Sequence, residues 1–158
     1  MRIMRFLFFI LFFSTALFAT VQVHDTIIYQ DKEYPLYHFP LDSYVYKKGI
    51  RHRDLFPVQC TAVWRGYVAK WKIIDDTLFL VALRNGECVP KPPEIPLSKL
   101  FPSQEGPIKA TWYSGDLLIP EGEIIEFFNG YNPTYEKELW LKFENGVIIH
   151  KELHYPKK

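Results

Sequence analysis

Between Cys60 and Leu83 the chain reads CTAVWRGYVAKWKIIDDTLFLVAL. No other stretch restricts the possible folds so strongly. If Asp75–Asp76 is a two-residue turn, Ile74 faces Thr77, Ile73 faces Leu78, Trp71 faces Leu80 and Ala69 faces Ala82. Every second residue of a strand shares a face. One face then carries Tyr67, Ala69, Trp71, Ile73, Leu78, Leu80 and Ala82, and is apolar throughout. The other carries Val68, Lys70, Lys72, Phe79, Val81 and Leu83, with its lysines towards water. The density of aromatic residues is therefore first a property of a half-buried hairpin.

The same alternation recurs along the chain. VQVHDTIIYQ and KEYPLYHF flank a polar turn at Asp31–Lys32 and read as a first hairpin, with Pro35 confining its second strand to an edge or a bulge. Residues 42–59 are irregular, with room for a short helical turn, and carry Lys47, Lys48, Arg51 and Arg53. Six prolines between Val89 and Pro107 exclude a regular central strand there and leave a long loop, with one helical turn near Leu97–Leu100. IKATWY leads to DLLIP, Glu121–Gly122 turns into EIIEFF, and Asn145–Gly146 joins ELWLKFE to VIIHKEL. That last turn pairs Phe143 with Ile148 and Leu141 with His150. The reading is all-β: a single antiparallel domain of about seven to nine short strands, closed as a small barrel or packed as a two-layer sandwich, with at most one or two short helical turns.

The N-terminus points to export. Arg2 and Arg5 precede an apolar run from Phe6 to Phe13, followed by small residues up to Ala19. That is the layout of a secretory signal peptide, expected to be cleaved after Ala19 even though Leu17 is larger than usual at its position. Residues 1–19 are then the signal and 20–158 the single domain, in the periplasm or outside the cell. No other run approaches the ~20 residues of a membrane span, so no stable membrane anchor is expected after cleavage. Of 158 residues, 19 are basic and 18 acidic. Loss of Arg2 and Arg5 leaves the chain close to neutral, which gives no case for nucleic acid. In an oxidising compartment the two cysteines, Cys60 and Cys88, suggest a disulfide, the alternative being two buried thiols. Uninterrupted alternation would set them on opposite faces; a break at Asn85–Gly86 would remove that objection.

Motifs for chemistry are few. His52–Leu55 spells HRDL, the letters of a kinase catalytic loop, without a Gly-rich phosphate loop or enough chain. HKELH, from His150 to His154, has helical metal spacing but lies in a strand pattern, where four residues span about 13 Å. No G-x-S-x-G occurs, and neither cysteine has a nucleophile's surroundings. Asn132-Pro-Thr134 fails as a glycosylation acceptor because of its proline. No catalytic residue, metal or cofactor is assigned. Arg65, between Trp64 and Gly66, falls on the core-facing side, and a buried Arg needs partners. The plainer reading is a structural ion pair or a rim position; the sharper one is a ligand-facing Arg beside an aromatic ring. Gly66 fits a bulge or a close backbone approach under either reading. Tyr131, Tyr135 and Glu136 on the 128–137 loop form a second candidate surface, although Tyr135 also suits a residue pinning that loop to the core.

Three blocks also carry a resemblance. WRGYVAKWKIIDDTLFLVAL, DLLIPEGEIIEFF and GYNPTYEKELWLKFENGVII resemble, in order and spacing, an uncharacterised family of small bacterial β-rich proteins. Its marks are a W-R-G-Y…W-x-I…L-x-L segment and a later G-Y-x-x-x-Y-E block. The resemblance covers Cys60 to Ile149; the signal segment and the Pro-rich insert stand outside it. It implies a shared fold. That family has no established activity, so no functional residue is carried over.

The expected function is a non-enzymatic binding or interaction module with a protein partner, of the inhibitor or immunity-protein kind. Its contact loops would be 43–59, 89–107 and 128–137. The alternatives are a small carboxylate-dependent hydrolase and a carrier of an apolar ligand.

Overall fold

The computed structural model describes residues 22–57, 59–127 and 132–157. The segment read as a signal peptide and Tyr131 lie outside the described residues. Eight strands form one sheet: β1 (Asp25–Tyr29), β2 (Lys32–Leu36), β3 (Tyr67–Ile74), β4 (Thr77–Asn85), β5 (Ile108–Lys109), β6 (Gly115–Glu126), β7 (Thr134–Glu144) and β8 (Val147–His154). Two helices, α1 (Pro40–Lys47) and α2 (His52–Leu55), lie between β2 and β3, and a 3-10 turn occupies Leu97–Lys99.

The turn residues explain the hairpins. Asp75 and Asp76 both take positive φ, 47° and 56°, as a two-residue hairpin loop requires. Ile74, Ile73 and Trp71 pair with Thr77, Leu78 and Leu80 as expected. Beyond them a bulge intervenes: Lys70 pairs with Ala82, and Ala69 with Leu83 rather than Ala82. One extra residue inverts the alternation. Leu83 therefore enters the core and Ala82 leaves it. Strand β4 ends at Asn85, as the expected break requires, and Cys60 lies outside β3, so strand alternation governs neither cysteine; the two are bonded with Cα atoms 5.8 Å apart. The Asn145–Gly146 hairpin repeats this behaviour. Phe143 pairs with Ile148 as expected, but a bulge at Ile149 brings Leu141 opposite Lys151 instead of His150.

Three further expectations need correction. The first hairpin turns at Gln30–Asp31, with φ 50° and 59°, one residue earlier than read. Glu121–Gly122 is not a turn: β6 runs unbroken for 12 residues, and Gly122 uses its φ of 79° for a bulge that lets β7 pass close to it. The sheet is also mixed rather than purely antiparallel, because β1 pairs with β3 in parallel, Ile27 opposite Trp71.

The strand order is β2-β1-β3-β4-β8-β7-β6, with β5 attached to β4. It is one curled sheet, neither a closed barrel nor two layers. Its edge strands β2 and β6 approach each other, and Tyr37 and Tyr135 meet through their hydroxyls at 3.4 Å. Pro35 and Pro120 lie in those edge strands, where a missing N–H costs least. Trp71, Leu80, Leu117 and Leu141 fill the core, with Leu41 and Val45 of α1 and Phe56 just after α2 packed in from the connection. Among the described residues no helix is long and apolar enough to cross a membrane.

The disulfide closes a separation of 28 residues. On chain-entropy grounds it stabilises the fold by about 3–4 kcal/mol. Urea unfolding of a Cys60→Ser/Cys88→Ser chain should show a loss of that size. A loss indistinguishable from zero would mean that the β3–β4 hairpin alone holds these two loops in place.

Candidate functional site

The segment from Arg51 to Tyr67 is built from short-range contacts on a buried floor. Arg51 precedes α2 and grips Asp54 through two N–H groups, at 3.1 and 3.2 Å. His52 opens α2, and its Nε2 lies 2.8 Å from Asp42 Oδ1 of α1. The Tyr67 hydroxyl donates to the same oxygen at 2.5 Å, and the His52 ring lies parallel to the Tyr67 ring. Burial, with the charges of Asp25 and Asp42 behind it, pushes the Tyr67 phenol well above its ordinary range, so it stays a donor. After α2 the chain passes Cys60 and turns at Val63–Gly66. Trp64 stands on that turn at 59% exposure, its ring 6.3 Å from that of His52. Arg51, His52, Arg53, Asp54, Gln59 and Trp64 line an open hollow of about 380 Å³.

Gly66 explains how the turn fits. Its φ is 81°, and a Cβ there would lie 2.6 Å from the Phe56 carbonyl oxygen. Only glycine tolerates both conditions.

Arg65 points the other way and is 1% exposed. Its Nη2 donates to Asp25 Oδ1 at 3.0 Å and to the Val23 carbonyl at 2.8 Å. The guanidinium carbon lies 4.1 Å from the centre of the Phe39 ring and 5.2 Å from that of Tyr67. Among the described residues Nε and Nη1 meet no hydrogen-bond partner, and the two ring faces are a further attraction for the cation. Asp25 is fully buried. Its Oδ1 also accepts the Ala69 N–H at 3.0 Å, and its Oδ2 accepts the Trp71 indole N–H at 3.1 Å. Burial raises its carboxyl to about 6 against the opposing pull of Arg65 and the two N–H donors.

The candidate residues named from the sequence do not form one site. Trp64 lines the hollow and Arg65 lies in the core next to it. Tyr135 is buried in β7 against Tyr37, and burial raises its phenol. Glu136 is exposed and accepts the Glu123 amide across the β6 bulge. Neither Tyr135 nor Glu136 lines the hollow. The HKELH segment is strand β8. His154 and His150 lie 3.3 and 3.9 Å from Glu152, and all three are exposed. Among the described residues no three His, Cys, Asp or Glu side chains come together as a metal site would need. Asp25, Asp42 and Tyr67 were not singled out from the sequence, and no spacing signals them. His52 entered the sequence analysis only through the HRDL letters.

The hollow offers an indole face, the Arg53 cation and an imidazole backed by a carboxylate. No Ser, Thr or Cys lines it to serve as a nucleophile. Compared with protein-family models, curated proteins and solved structures, the chain matches none.

Two measurements test this construction. Gly66→Ala should cost at least about 2 kcal/mol in chemical unfolding; an unchanged midpoint would refute the close approach to Phe56. The raised Asp25 carboxyl means that the folded chain holds this proton more tightly than the unfolded chain. Its contribution is fully present below the unfolded value of 3.8 and is lost as pH rises through about 6. Across that window wild type should lose up to about 3 kcal/mol relative to Asp25→Asn. A constant difference between the two chains would show that Asp25 ionises normally.

Proposed function

We propose that this chain is an exported, non-enzymatic binding module that takes a protein partner at the Trp64 hollow. The observation that carries the reading is the pairing of an exposed indole with a rigid base. Trp64 is held between a disulfide-bonded Cys60 and the buried Arg65, so the ring is presented with little ordering left to do on binding. Trp and Arg dominate binding energy at protein interfaces, and Arg53 stands beside this Trp. The N-terminal Arg2–Ala19 pattern and the disulfide both suit an oxidising compartment. An inhibitor or a toxin-neutralising protein is the class of module that fits.

The test is affinity capture from the envelope fraction of the native host with wild type and Trp64→Ala. As a surface substitution, Trp64→Ala should shift stability by no more than about 0.5 kcal/mol. A protein retained by wild type and lost by the folded variant supports the reading. Equal capture by both chains, or none, overturns it.

A small hydrolase is the second reading, favoured by the Asp42–His52 contact at the hollow's edge. It requires a hydrolytic activity that His52→Ala abolishes in a chain that still folds.

A further inference from the structure

A second surface lies at the C-terminal end of α1. Helix α1 ends at a glycine in the left-handed region: Gly49 has φ 65°, its N–H donates to Tyr46 O at 2.9 Å, and the Ile50 N–H reaches Val45 O at 3.4 Å. A Cβ on Gly49 would meet nothing within 4 Å, so the turn is open to solvent at that point. Every residue from Tyr46 to Arg51 is exposed. Tyr46 is 87% exposed and Ile50 38%. Between and beside them are Lys47, Lys48 and Arg51.

The turn borders a hollow of about 440 Å³ whose floor is the aromatic group Tyr44, Phe101 and Trp112 and whose rim carries Lys47, Lys48 and Lys109. No carboxylate lines it. Lys47 donates to the Trp112 carbonyl, and Lys48 lies 5.6 Å from the centre of the Tyr44 ring. Among the described residues, neither of these lysines nor Lys109 forms an ion pair. The two carboxylates nearest Lys47 and Lys48 in sequence are occupied, Asp54 by Arg51 and Asp42 by His52 and Tyr67, and Glu105, four residues before Lys109, does not line the hollow.

We propose that the Tyr46–Ile50 turn and the lysine-rimmed hollow beside it dock the protein reversibly on an anionic lipid bilayer. Unneutralised lysines alone would suit any polyanion. The exposed phenol and the aliphatic side chain at the tip decide between them. A nucleic acid or a sulfated glycan offers no apolar layer for Ile50. A bilayer offers anionic headgroups for the lysines, and below them a boundary where Tyr and aliphatic side chains are stable. The surface leaves Trp64 unused, so it goes beyond the protein-partner reading and does not depend on it.

The experiment uses the protein in the form its host accumulates. It is co-sedimented with vesicles of phosphatidylcholine alone, and with vesicles of phosphatidylcholine and phosphatidylglycerol, across a range of salt. The protein should sediment with the anionic vesicles only, and less as salt rises. Lys48→Ser and Lys109→Ser should each lower the partition coefficient roughly fivefold. Tyr46→Ser should lower it at every salt concentration without changing the salt dependence. Trp64→Ala should bind vesicles like wild type, which separates failure here from failure of the protein-partner reading. Absence of vesicle binding, equal binding to both vesicle types, indifference to the lysine variants, or retention on double-stranded DNA without vesicle binding would each overturn the proposal.

Discussion

Asp25 and Arg65 form an ion pair sealed from water, and the parallel junction of the sheet is organised around it. Taking two charges out of water costs several kcal/mol for each ion, and their attraction offsets this only with good geometry and further hydrogen bonds. Both conditions are met on the carboxylate side: Asp25 accepts from Arg65, from the Ala69 amide and from the Trp71 indole. Ala69 and Trp71 belong to β3, and Asp25 to β1. The parallel ladder between these strands begins one residue further on, at Thr26 opposite Lys70. A slip of one residue would move the carboxylate away from its N–H donors and turn the core face of β1 outward. The pair therefore fixes register more than it adds net stability.

That role explains why a raised carboxyl coexists with a salt bridge. Burial outweighs the Arg65 charge at Asp25, so ionising the carboxyl is unfavourable relative to water even with its partner in place. Truncating either member would be worse, because the survivor would remain buried without compensation. Arg65 was legible as a buried residue because it falls in phase with Tyr67 and Trp71. Its partner was not, since Asp25 lies 40 residues earlier in a strand whose neighbour no local pattern names.

Hairpins were legible wherever a turn pair with positive φ separates alternating runs, as at Asp75–Asp76 and Asn145–Gly146. The registers drifted beyond the bulges at Val81 and Ile149, because one extra residue leaves no mark in composition. Gly122 was misread for a related reason: positive φ permits a reversal or a bulge, and pairing with β7 chose the bulge. Helix α1 carried signals at both ends, Pro40 in its first turn and Gly49 beyond its last, and it runs from Pro40 into the 42–59 stretch read as irregular. The Asp42–His52–Tyr67 contact was invisible because its members are 10 and 25 residues apart and lie on three different elements.

The connection between β2 and β3 also accounts for where the exposed residues are displayed. Leu36 at the end of β2 pairs with Asp25 at the start of β1, and β3 runs parallel to β1 from that same end. The chain therefore leaves the first hairpin and returns at one end of the sheet, and a short link around the start of β1 would join the two. The segment between Leu36 and Tyr67 is far longer than that link needs, and it buries Leu41, Val45 and Phe56 against the core. Its opposite side is left to solvent, and there it presents Tyr46, the lysines, Arg53 and Trp64. The Trp64 hollow thus lies wholly on this connection, and the lysine-rimmed hollow is shared between it and Phe101, Lys109 and Trp112 from the chain between β4 and β6. The disulfide at Cys60 and the Arg65–Asp25 pair anchor its returning end, so the segment able to vary its surface chemistry is also held rigidly to the sheet.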